Sequence, residues 1–206
     1  MDKSMKITAG WIGILIAFCG LSMAGGISTG APAPEFALLD ADGKEHNLSN
    51  YKGKYVVLEW VNYGCPFVKK HYSGGNMQAL QKKYSDKDVV WFSICSSAPG
   101  KQGHASAEEI KGTNAKNGFS ATAYLFDPDG AVGKKYGART TPHLFVINPD
   151  GTVGYQGAID SVRSTNPDDI PNAKNYVSDY LDLIMNGETP VHTTTKPYGC
   201  GVKYGT

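Results

Sequence analysis

Arginine is nearly missing from this chain: of its 20 basic residues only Arg139 and Arg163 are arginines. With 19 acidic residues against them and a net charge of +1, neither sign is in surplus. That balance removes the electrostatic reason to expect nucleic acid or an anionic membrane surface as a partner. Cysteine is scarce too, with 4 in 206 residues, and none of them forms a Cys-x-x-Cys pair, because Val68 stands three residues after Cys65. A local dithiol cycle between neighbours on one helical turn is therefore excluded. Internal repeats and a second domain are also lacking, and a chain of this length holds one domain with a substantial core.

What is present begins with a leader. Lys3 and Lys6 precede an apolar run from Ile7 to Leu21, and Ser22-Met23-Ala24 supplies small residues where signal peptidase reads. Residues 1–24 are read as a signal peptide, 25–34 as a linker, 35–187 as the folded domain and 188–206 as a C-terminal tail. The protein is expected to be exported, periplasmic or secreted. Retention of the leader as an N-terminal anchor is the alternative, although its glycine-broken run is short for a stable span. No other stable membrane partner is expected. Phe18 argues against lipid attachment at Cys19. Cleavage leaves Cys65, Cys95 and Cys200, an odd number in an oxidising compartment. Such a count means a free reactive thiol, an intermolecular bridge or a site that cycles, with one static disulfide plus a buried thiol as the plainer alternative.

Along the domain, Phe36 to Leu39 and Glu45 to Leu48 flank Asp42-Gly43 as a hairpin. Tyr55 to Val61 reads as a buried strand interrupted only by Glu59. A helical segment from Pro66 to Tyr84 is interrupted at Gly74-Gly75, with Asn76 as cap of its second part. The spacing then predicts a strand at Val89 to Cys95, a capping-box helix from Ser106, a short strand at Tyr124 to Phe126 and a short helix ended by Gly137. A hairpin of His143 to Ile147 with Thr152 to Gln156 follows, and a helix from Asn172 to Met185 closes the domain. This alternation predicts an α/β fold with a central mixed sheet flanked by helices and an N-terminal hairpin extension.

Pro66 suits the first turn of a helix, which makes Cys65 its N-cap or first-turn residue. Unpaired N–H groups and the positive end of the dipole collect there, and both favour a thiolate. The chemistry-bearing stretch is Asn62-Tyr63-Gly64-Cys65-Pro66.

Together with Tyr51-Lys52-Gly53-Lys54 and Thr141-Pro142, these motifs resemble the thioredoxin superfamily, in particular its redoxin branch of alkyl hydroperoxide reductase/thiol-specific antioxidant and peroxiredoxin-like proteins. The resemblance spans roughly Ala33 to Met185. It implies a thioredoxin-like fold with Pro142 cis, lying across from Cys65 and exposing backbone groups to substrate. It also implies Asn62 where such peroxidases place a peroxide-orienting threonine, Arg139 as the arginine beside the thiolate, and Cys200 as the resolving thiol, with Cys95 as its competitor.

The expected function is that of a thiol-dependent oxidoreductase. Peroxide reduction through a Cys65 thiolate and sulfenate comes first and disulfide exchange on exported proteins second. Catalytic roles fall to Cys65, Cys200 and Arg139, and substrate contacts to Asn62, Gly64, Pro66, Thr141 and Pro142. The partners are a hydroperoxide or disulfide substrate and an external thiol reductant; no cofactor is called for. Exported copper carriers share the fold, and Cys65, His71, His143 and Cys200 supply metal-ligating types, but Lys69 occupies the second cysteine of their Cys-x-x-x-Cys pattern. No metal is therefore expected. His71 is otherwise read as a surface or packing position. A non-enzymatic binding scaffold with a vestigial Cys65 is the remaining alternative.

Overall fold

The computed structural model describes residues 26–205. The signal-peptide reading, with Cys19 and the cleavage site, lies outside the described residues. Among those described, no helix is long and apolar enough to cross a membrane.

Five strands form the central sheet in the order β5-β4-β3-β7-β8. They are β3 (Val56–Trp60), β4 (Val90–Cys95), β5 (Ala123–Phe126), β7 (His143–Ile147) and β8 (Val153–Gly157). β3, β4 and β5 run parallel, whereas β7 lies antiparallel to β3 and β8 antiparallel to β7. The apolar runs seen in the sequence become these central strands because both faces of the sheet are covered, so every residue of β3, β4 and β7 is buried. One face carries Val57, Val61 and Trp91 under α1 (Pro66–Ser73), α2 (Asn76–Ser85), α3 (Ala107–Lys116) and α5 (Tyr176–Met185). The other carries Leu58, Trp60 and Phe145 under α4 (Ala131–Tyr136), with Phe36 and Leu48 from the N-terminal hairpin. That hairpin pairs β1 (Ala37–Leu39) with β2 (Glu45–Asn47).

Two boundaries differ from the sequence reading. α2 is capped by Gly75 in the left-handed region, not by Asn76, whose side chain instead bonds His71 Nδ1 at 2.9 Å. The last helix begins at Tyr176, because Asn175 accepts from the Ser178 N–H and a 3-10 turn with an internal proline occupies Pro167–Asn172. The described part of the lead-in is bonded along β8, through Gly30 N to Val153 O and Ala33 N to Gly151 O.

The tail is the largest difference. It crosses the domain as a pinned strap, bonded to the fold at several points, where the sequence reading assigned it only as a C-terminal tail. Thr193 and Thr195 bond the Gln156 backbone, and a two-stranded sheet pairs β6 (Thr140–Thr141) with β9 (Cys200–Gly201). Ala98 N then bonds Lys203 O, and Tyr204 Oη donates to Ala138 O at 2.8 Å.

Candidate active site

β3 ends at Trp60 and the chain turns through Asn62 to Gly64 before α1 begins. Asn62 shapes that turn: its Oδ1 accepts from Gly64 N at 2.8 Å and its carbonyl from Cys65 N at 2.9 Å. Cys65 is the N-cap of α1, with extended φ and ψ of −78° and 127°, and Pro66 follows inside the first turn. The cap carbonyl receives the Lys69 N–H at 2.9 Å. Its sulfur is buried and donates to Thr141 O at 3.0 Å. The Thr141–Pro142 peptide is cis.

Cys200 completes the site. It lies opposite Thr141 in the β6–β9 pair, half-buried, so the tail seats a second sulfur against the first. Burial opposes ionisation of Cys65, but its interactions with the Cys200 thiol, the Cys200 and Val68 backbone and the Thr141 side chain together outweigh it, and hold the thiol below its ordinary value. Cys200 moves the other way, to about 11, through burial and through the hydrogen bond and charge of Cys65. The pair is thus differentiated. Of the two sulfurs, Cys65 is the one held towards the thiolate and Cys200 the one held towards the thiol.

The remaining site residues fall into two groups. Pro66 is exposed on the first turn, Gly64 is half-buried beneath Gln102, and Thr141 and Pro142 are buried beside Cys65. Asn62 is placed differently from the peroxide-orienting role that the resemblance implies, because its Nδ2 donates to Gln102 O at 3.1 Å and Gly103 closes over the amide. Arg139 is exposed, and its guanidinium makes no hydrogen bond or ion pair among the described residues. Its charge acts on His143, which burial above all, and then Arg139, push down to about 3.

Cys95 is buried and donates to Gly103 O at 3.4 Å. It lines an apolar groove of about 650 Å³ with Leu39, Ala105 and Phe126, and neither Cys65 nor Cys200 borders that groove. Among the described residues, no cluster of three or more His, Cys, Asp or Glu is placed to hold a metal. Of the copper-ligand types Cys65, His71, His143 and Cys200, only the two cysteines are brought together. His71, which the sequence suggested as a surface or packing position, is fully buried beside Asp160. His143 lies on the Phe145 ring, with Nε2 buried and unpartnered among the described residues.

Sequence reasoning missed the strand pair that unites the two cysteines, and it missed Tyr198, Asp160 and Lys70, which flank it. The one available signal was Pro197-Tyr198-Gly199-Cys200-Gly201, a motif unlike a disordered tail in placing an aromatic beside the thiol.

Comparison with known proteins bears on the family and the fold. The family model described as "AhpC/TSA family" matches residues 29–156. The chain is similar to the thiol-disulfide oxidoreductase ResA of Bacillus subtilis, 28% identical over 164 residues that span 79% of each chain. An uncharacterised conserved protein from Geobacillus kaustophilus superposes with a TM-score of 0.74 at 27% identity, covering 86% of this chain and 93% of that one. The thioredoxin domain of a thiol-disulfide oxidoreductase from Bacteroides vulgatus shares the fold, with a TM-score of 0.50 at 19% identity over 71% of this chain and 97% of that one. The architecture is thioredoxin-like.

Proposed function

From the premise that this chain belongs to the AhpC/TSA family, we propose that it is an exported thiol–disulfide oxidoreductase working through Cys65 and Cys200. The observation that carries the reading is the pairing of Cys200 with Thr141, whose carbonyl bonds the Cys65 thiol. On this reading Cys200 supplies the second thiol that the helix lacks. The Cys65 thiolate attacks a substrate disulfide, forming a mixed disulfide and releasing one substrate thiolate. Cys200 then attacks the Cys65 sulfur, giving the Cys65–Cys200 disulfide and the second substrate thiol, which takes the proton that Cys200 gives up. An external thiol reductant restores the pair.

Disulfide exchange is preferred here to peroxide reduction because neither group that would orient a peroxide bonds the sulfur: the Asn62 amide donates to Gln102, and the exposed Arg139 guanidinium has no partner among the described residues. The test is a Cys200→Ser variant, itself reduced, mixed with a protein that carries scrambled disulfides. A mixed disulfide at Cys65 is expected, while hydrogen peroxide is consumed no faster than by free cysteine. Rapid peroxide consumption with no trapped protein would return the assignment to a peroxidase.

A further inference from the structure

Beneath the tail lies a buried charged cluster that the sulfur chemistry does not use. Lys70 and His71, on the helix that begins at Cys65, are 1% and 0% exposed, and Asp160, in the loop after β8, is 2% exposed. Lys70 Nζ meets Asp160 Oδ2 at 3.2 Å and donates to Val162 O at 3.0 Å. Tyr198, two residues before Cys200, donates its phenol to Asp160 Oδ1 and lies 3.5 Å from His71 Nε2. Its ring packs edge-on against Phe67 at 5.8 Å.

Burying a carboxylate and an ammonium is costly unless their bonds are completed, and breaking such a set from one side is strongly unfavourable. Each member has a structural partner, but Tyr198 alone comes from the tail. The link to the site is short. Gly199 adopts φ +142° and passes so close to β6 that a Cβ there would lie 2.1 Å from Thr141 O. Tyr198 therefore fixes the entry point, Gly199 permits the approach, and Cys200 is left opposite Thr141. Burial and the Asp160 carboxylate raise the phenol, so it remains a donor across the working pH range.

We propose that Tyr198 is the positioning residue of the resolving step, seating Cys200 over Cys65 through its buried bond to Asp160; this rests on the dithiol reading above. It contributes effective concentration without touching the reacting atoms. In the balanced step, the Cys65–substrate S–S bond breaks as the Cys65–Cys200 bond forms, and the proton of Cys200 leaves with the departing thiol.

The test uses the full chain carrying Cys19→Ser and Cys95→Ala, so that only the two sulfurs react with 5,5′-dithiobis(2-nitrobenzoate). Attack by Cys65 releases one chromophore and closure by Cys200 a second. Tyr198→Phe, which keeps the ring on Phe67, is expected to leave the first release unslowed and to slow the second at least tenfold. A tenfold loss of effective concentration also makes the potential of the pair about 30 mV more oxidising. A second release within twofold of the parent overturns the proposal. A parent chain that releases a single chromophore defeats the dithiol reading itself. Hydrogen exchange in the parent gives a check independent of the variant's folding: the Val202 amide, bonded to Arg139 O, is expected to exchange at least tenfold slower than an unprotected amide, and exchange at the unprotected rate overturns the anchoring.

Discussion

The carbonyl of Thr141 accepts the Cys65 thiol hydrogen at 3.0 Å, and the same residue is paired in antiparallel register with Cys200. One two-residue strand thus sets the position of both sulfurs, and the consequences are measurable.

The depressed pKa of Cys65 depends on its partner. Cys200→Ala removes the thiol that donates to the sulfur, the largest of the favourable contributions. The Cys65 pKa should then rise towards the usual thiol value, read by ultraviolet thiolate absorbance against pH. An unchanged midpoint would mean that the helix N-terminus alone supplies the activation.

Gly199→Ala should dislodge the tail. Its φ of +142° disfavours any side chain, and the new Cβ would collide with Thr141 O. Because Cys65 is covered with the tail in place, its alkylation by iodoacetamide should accelerate at least tenfold, while the thermal midpoint of the domain falls only slightly. Mass-spectrometric labelling kinetics provide the check, and an unaltered rate would show that the tail does not control access.

Two buried histidines make the fold sensitive to acid. Burial, joined by Lys70 against the opposing pull of Asp160, holds His71 at about 4, below its ordinary 6.5, and burial with Arg139 holds His143 at about 3. The unfolded chain binds those protons first, so stability is complete above pH 6.5 and is lost as pH falls towards the folded values. His71 accounts for a loss on the order of 3 kcal/mol across that window. Glu59, which burial raises above the ordinary carboxylate range, works in the opposite direction. The contrast is therefore read between wild type and His71→Gln by urea denaturation at pH 7 and pH 5. The variant should show the shallower dependence, and equal slopes would deny His71 that role.

Glu59 itself is held by four donors: Tyr72 Oη, Gln81 Nε2, Trp91 Nε1 and Ser93 Oγ, at 2.9 to 3.3 Å. Glu59→Leu strands the Tyr72, Trp91 and Ser93 donors in the core, leaving Gln81 Nε2 only its bond to Tyr72 Oη, and should cost about 3–5 kcal/mol. Glu59→Gln, which keeps an acceptor, should cost less than half of that by chemical denaturation. A leucine variant as stable as wild type would mean that those donors find other partners.

Much of this architecture was legible because its signals are local. Apolar runs such as Tyr55 to Val61, Pro66 after Cys65, and the Ser106–Glu109 capping box each act within a few residues of themselves. The β6–β9 pairing was not legible: two-residue strands carry no periodicity, and their partners lie some 60 residues apart in the chain. Between the surface and packing positions read for His71 the sequence could not decide for the same reason, since the Asp160 beside which it is buried is 89 positions away. Asn62 and Arg139 show the limit of transfer by position. The sequence correctly brings each near the right turn or strand, but only packing decides that the Asn62 amide turns to Gln102 and that the Arg139 guanidinium faces solvent.

The central question is whether Cys65 and Cys200 form one redox couple. The most direct measurement is a peptic map of the protein after equilibration with oxidised glutathione, with the bridged cysteines identified by mass spectrometry. A Cys65–Cys200 disulfide with Cys95 free is the predicted result. A Cys65–Cys95 bridge, or a Cys65 that stays unpaired while Cys200 carries the glutathione, would contradict it.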